Sequence, residues 1–119
     1  MASSSDEWAA YRDHVPATEA EWQAFIAATP VGSLVSGVVL SVHRFGFFVD
    51  IGHGTAITGL VELHNIGPTG ADSCPPVGSV VERAVVLDHR RERQAQLSIR
   101  PEDLAAHDAG VPIPSRWRS

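Results

Sequence analysis

The chain has 119 residues, 44% of them hydrophobic and 19% charged, with a formal net charge of −5. That length suits one domain with appendages, and the composition is too apolar for a disordered chain. No apolar run approaches a membrane span, and the acidic start "MASSSDEWAAYRDH" lacks the basic and apolar regions of a secretory leader. A cytoplasmic protein with no membrane partner is the expectation.

Cys74 is the sole cysteine, which excludes an internal disulfide and a thiolate zinc cluster. In "GPTGADSCPPVG" it reads as a loop residue. The charge is unevenly spread. Residues 1–30 carry five acids and one arginine, residues 31–100 six acids and six arginines, and residues 101–119 three acids and two arginines. Overall acidity counts against long-range attraction to nucleic acid. All nine basic residues are arginine, however, the better residue for stacking on bases and gripping phosphates.

In chain order, residues 1–30 read as a helical extension. "SSSDEWAAYRDH" offers a serine cap and first-turn acids, and Pro16 interrupts it. "ATEAEWQAFIAATP" places Thr18 and Glu21 at capping-box spacing and stops before Pro30. Trp22, Phe25 and Ile26 share a helical face that must be buried.

Residues 31–100 read as five short strands. "GSLVSGVVLSVHR" sets Val38, Leu40 and Val42 on one face and Ser41 and His43 on the other. "FGFFVDIG" sets Phe47, Val49 and Ile51 against Phe48 and Asp50. "TGLVEL" and "SVVERAVVLDHR" follow. "QAQLSIR" alternates Ala95, Leu97 and Ile99 with Gln94, Gln96 and Ser98. Strands at this spacing, with no long helix between them, predict a mainly β fold: a five-stranded antiparallel OB-type barrel. Residues 101–119 read as a short helix, started by Pro101 and stopped by Gly110, followed by a flexible tail.

The motifs "VGSLVSGVV", "FGFFVDIG", "GLVEL" and "VGSVV…VLD…LSIR" stand in the order found in ribosomal-protein-S1 type RNA-binding domains, and residues 31–100 resemble that family. The resemblance implies a single-stranded RNA partner. It also implies that the first and last aromatics of the F-G-x-F element, Phe45 and Phe48, lie on the nucleic-acid face, with Gly46 relaxing the strand alternation between them. Rings so placed stack on bases with little sequence preference. On the residues alone two alternatives stay open: all three phenylalanines are core, or Trp22 and Phe25 cover the rings.

Two positions depart from the family. Its histidine after G-L-V is Glu62 here, a charge that repels phosphate. His64, of the same parity if the strand persists, offers an imidazole instead. The family's arginine four residues before the closing serine is Gln94 here. Its aspartate is kept as Asp88, and "HRRER" supplies Arg90, Arg91 and Arg93 on a hairpin loop, either as phosphate contacts or as a solvated charged turn. The expected RNA-binding set is therefore Phe45, Phe48, His64, Asp88, Arg90, Arg91, Arg93 and Gln94, and the expected binding is weak.

Other chemistry finds no constellation. His14, His43, His53, His64, His89 and His107 are scattered without metal-ligand spacing. "GHGTAITG" has no phosphate-binding lysine, and no nucleophile elbow or acid pair occurs. The expectation is a non-catalytic protein with no cofactor and no metal. Two function classes remain. One is an RNA-binding module, whose RNA is free, structured or ribosome-associated. The other is a protein-protein interaction module that has kept the barrel and lost RNA affinity, its acidic flanks with Trp8, Tyr11, Trp22 and Trp117 forming the partner surface.

Overall fold

A computed structural model describes residues 17–52, 57–67, 74–90 and 93–113. Five strands, β1 (Leu34–His43), β2 (Gly46–Asp50), β3 (Thr58–Glu62), β4 (Val80–Arg90) and β5 (Gln94–Ser98), form a closed barrel in the order β1-β2-β3-β5-β4. Closure comes from β1, which pairs with β4 through Leu34–Val38 and with β2 through Val38–His43. The other neighbours are antiparallel except β3 and β5, which run parallel. Two helices flank the barrel, α1 (Glu19–Ala28) and α2 (Pro101–Ala109).

One strand can serve two partners because it bends. Its pairing with β4 shifts register between Val35 and Gly37, where the extra residue belongs to β4, and its pairing with β2 shifts between Val39 and Ser41, where Leu40 is the extra residue. A bulge of this kind kinks a strand and increases its twist. Gly37 sits at the bend, where an added Cβ would lie 2.0 Å from the Asp50 carbonyl oxygen. The shift overturns the simple alternation expected of β1. Val39 is the core residue, Val38 is exposed, and Leu40 packs with Phe48 and Leu60 outside the main core.

In β2, β3 and β5 the period of two holds. Phe47, Val49, Ile51, Val61, Val86, Ala95 and Leu97 fill the barrel, and Phe47 has no solvent contact. Full burial of such a ring contributes about 3 kcal/mol. α1 packs where β4 turns into β5, through His89 and Arg93. Its capping box forms as the spacing predicts: Thr18 Oγ1 accepts from the Glu21 amide at 3.1 Å, and Glu21 Oε1 accepts from the Thr18 amide at 2.9 Å. Trp22 is buried in the main core and stacks on Phe25 at 5.6 Å, and both rings meet His89 edge-on. His89 Nε2 donates to the Thr29 carbonyl at 2.7 Å, tying the end of α1 to β4.

α2 covers a different surface. It begins at Pro101 and ends on Gly110 in the left-handed region (φ +71°). Ala106, with Ile113 beyond the helix, packs on Val85 and Leu87 of β4. Asp103, fully buried, accepts from the Ser98 hydroxyl of β5. The outer positions at this end of β4 and β5 are thus closed. No described helix is long and apolar enough to cross a membrane.

Candidate nucleic-acid interface

The outer face is organised by cross-strand register. Ser41, Phe48, Leu60, Gln96 and Asp88 are successive partners across β1, β2, β3, β5 and β4. A second row runs Val38, Asp50, Thr58, Gln94, Arg90. A third begins His43, Gly46, Glu62. Directly paired residues point to the same side of a sheet. These rows therefore gather Phe48, Asp88, Arg90 and Gln94, four of the residues expected from sequence, on one surface.

Phe45 joins them from the turn between β1 and β2. Three residues of strict alternation would separate it from Phe48, but Gly46 adopts φ +147°, a conformation that side-chain-bearing residues rarely take. Phe45 and Phe48 consequently meet edge to face with centroids 6.0 Å apart. His43 completes the cluster. Its ring stacks on Phe45 at 5.1 Å with planes 6° apart, and it meets Phe48 edge-on at 5.6 Å. His43 Nε2 also lies 2.8 Å from Ser41 Oγ, which orients the imidazole.

The two phenylalanines differ in exposure. Phe45 is 50% exposed, whereas Phe48 is 9% exposed and seated on Leu40 and Leu60. Phe45 and His43 thus present ring surface, and Phe48 is the footing beneath them. The helix that could have covered these rings does not: Trp22 and Phe25 make their ring contacts with each other and with His89 at the barrel end.

Polar groups border the rings. Gln96, 1% exposed, donates from Nε2 to Glu62 Oε1 at 2.7 Å. The alternation of β5 marks Gln96 as an outer residue, yet it is held under its neighbours as a fixed donor. Asp88 is exposed, and its Oδ1 accepts from the His89 amide at 2.9 Å.

Two of the expected residues are placed otherwise than the sequence suggests. β3 ends at Glu62 and a 3-10 turn, Leu63–Asn65, follows, so strand parity does not carry His64 onto the face. His64 is exposed with Nε2 4.0 Å from Glu62 Oε1, beside the face by virtue of the turn. Arg93 is committed to the fold. In the left-handed region itself (φ +59°), it donates from Nη1 to the Ala17 carbonyl at 2.5 Å and from Nη2 to Glu19 Oε1 at 3.1 Å. It anchors the start of α1. Arg91 lies outside the described residues.

His43 and Gln96 were not among the residues expected from sequence. A signal for His43 exists: it shares a face with Ser41 and immediately precedes the turn that carries Phe45. Gln96 had no such signal, because its burial follows from tertiary packing. Cys74 packs partly against the main core, and burial pushes its thiol above the usual range, which disfavours the reactive thiolate.

A closed five-stranded barrel in the order β1-β2-β3-β5-β4, with β3 and β5 parallel, is an OB-type barrel. The model of the S1 RNA binding domain matches residues 29–100, and the chain belongs to that family. Over 73 residues it is 40% identical to the rRNA biogenesis protein RRP5 of Arabidopsis thaliana, a match that covers 60% of this chain and 4% of that protein. The fold is similar to that of GSP13 from Bacillus subtilis, with a TM-score of 0.50, 27% identity, and coverage of 58% of this chain and 54% of that one. It also resembles a chain in an a/eIF2alpha–aDim2p–rRNA complex from Pyrococcus horikoshii, with a TM-score of 0.52, 19% identity, and coverage of 74% and 67%.

Proposed function

We propose that this protein is a non-catalytic module that holds single-stranded RNA across the outer face of its barrel. The observation that carries this reading is the half-exposed Phe45 ring, stacked on His43 and footed on Phe48. A ring held in place before the ligand arrives loses little side-chain freedom on binding, and base–aromatic stacking is worth about 1–3 kcal/mol per base. Membership of the S1 family and the rRNA named for two of the similar proteins support RNA as the ligand. Binding is weak, since the net charge is −5 and Arg93 serves the fold. Arg90 and Arg91 supply phosphate contacts, and Asp88 accepts from a base amino group or a ribose hydroxyl. Stacking alone gives little sequence preference.

A backbone amide NMR titration with a single-stranded RNA octamer tests this directly. Shifts centred on Phe45, Gly46, Leu60, Gln96 and Asp88 are expected. Shifts confined to α1 and the start of β1 would refute the assignment of the face.

A protein-interaction role remains as a second reading, favoured by one observation. Val38 and Val80 are cross-strand partners on β1 and β4, and both are exposed, with Val77 exposed in the adjoining turn. An apolar strip of this kind suits a protein contact better than a nucleic acid.

A further inference from the structure

We propose that Glu62 makes one position of this face base-selective: it accepts hydrogen bonds from the Watson–Crick edge of a guanine lying beside Phe45, so that guanine is preferred there to uracil. The inference rests on the reading of the aromatic face as the RNA surface. It refines that reading at one base.

The register sets what borders such a base. His43, Gly46 and Glu62 stand in one row, with the buried Gly46 between the two side chains. With strands about 4.8 Å apart, roughly 10 Å separates the backbones that carry His43 and Glu62. The Leu63 amide donates to the Phe45 carbonyl at 2.9 Å, which fixes the end of β3 against the turn that carries the exposed ring. A carboxylate therefore borders the stacking surface at a set place.

Its chemistry is equally set. Glu62 can only accept, and its two oxygens offer about four lone-pair positions. Among the described residues its contacts fall on Oε1: the Gln96 amide at 2.7 Å and the His64 ring at 4.0 Å. Gln96 is a positioning residue, buried and pointing its donor at Oε1, so the carboxylate does not have to be ordered by the ligand. The Glu62 side chain is 30% exposed, which leaves it reachable from solvent.

A fixed carboxylate repels phosphate and favours a donor edge. Guanine presents N1–H and the N2 amino group side by side, a match for two carboxylate oxygens. Cytosine and adenine present one amino donor each. Uracil presents a single N3–H between two carbonyl oxygens, which face the carboxylate unfavourably.

The test uses the full chain and fluorescence anisotropy with four uridine octamers that differ at one central base: uridine, guanosine, inosine or cytidine. The guanosine octamer is expected to bind roughly 5- to 100-fold tighter than the all-uridine octamer. Inosine keeps N1–H but lacks the amino group and should lose most of that gain. Glu62→Gln should still bind both octamers while erasing their ratio. If Glu62→Gln tightens every octamer by the same factor and keeps the ratio, Glu62 is a repulsive charge only and the inference fails. Equal binding of all four by the unaltered protein overturns the role of Glu62 alone. Binding of none overturns the aromatic face as an RNA surface, and the inference with it.

Discussion

Phe45 and Phe48 lie three residues apart and still meet edge to face, 6.0 Å between centroids, because Gly46 turns the chain between them. The pair divides labour. Phe48 is buried against Leu40 and Leu60, and Phe45 rests on it with half its surface open. The two substitutions should therefore separate. Phe48→Ala removes a packed ring and should lower stability by about 3 kcal/mol. Phe45→Ala should cost under about 1 kcal/mol of stability while weakening RNA at least fivefold. Urea denaturation alongside an RNA titration of both variants checks this. Equal stability losses would show that the rings are one packing unit.

Gly46→Ala tests what places Phe45. An added Cβ would lie 2.0 Å from the Val61 carbonyl oxygen, and the φ of +147° disfavours any side chain. Backbone strain and clash together should cost more than about 2 kcal/mol. Thermal denaturation followed by circular dichroism should show a fall in Tm of about 10 °C or more for a barrel of this size.

Arg93→Ala separates an architectural arginine from a ligand-binding one. Loss of the bonds to the Ala17 carbonyl and Glu19 should reduce stability by about 1 kcal/mol. RNA affinity and the slope of log affinity against log salt should stay as they were. A shallower slope, by about one unit, would mark Arg93 as a phosphate contact.

The Cys74 thiol is held above its usual range by burial. The fold then keeps a proton that the unfolded chain gives up. Its contribution to stability is fully present below the unfolded thiol's value and is lost as pH rises through the raised folded value. Cys74→Ser should flatten the alkaline fall in stability, read as Tm against pH between neutral and strongly alkaline buffer. Iodoacetamide should alkylate the native thiol more slowly than the urea-unfolded one.

How much of this was legible in the sequence depends on whether local pattern or tertiary context decides each residue. The alternation of Phe47, Val49 and Ile51 needs only a period of two, and the Thr18–Glu21 capping box needs only its own spacing; both appear as read. In β1 the same pattern misleads, because a register shift between Val39 and Ser41 moves Val39 inward and Leu40 outward. Bulges leave little local signature, and Gly37 marks the bend only in retrospect. The end of β3 at Glu62 has the same character: "GLVEL" reads as continuous strand, and the turn at Leu63–Asn65 diverts His64 from the parity it should have had.

The charged residues were harder still. "HRRER" gives no hint that one arginine reaches seventy-six residues back to the Ala17 carbonyl. Nor does Gln96, polar and outer by alternation, announce that it is buried and holds Glu62. Hydrogen-bond partners distant in sequence are chosen by packing, which composition and periodicity do not encode.

His43 and the half-exposed Phe45, seated on Phe48, are the proposed RNA surface. Fluorescence anisotropy of a labelled single-stranded RNA octamer, at low and moderate salt, tests it most directly when the unaltered chain is compared with Phe45→Ala. Weak, salt-sensitive binding with a shallow slope is expected, lost in a variant whose Tm is nearly unchanged. Binding that persists undiminished in Phe45→Ala, or no binding by the unaltered chain at low salt and high protein concentration, would contradict the proposal.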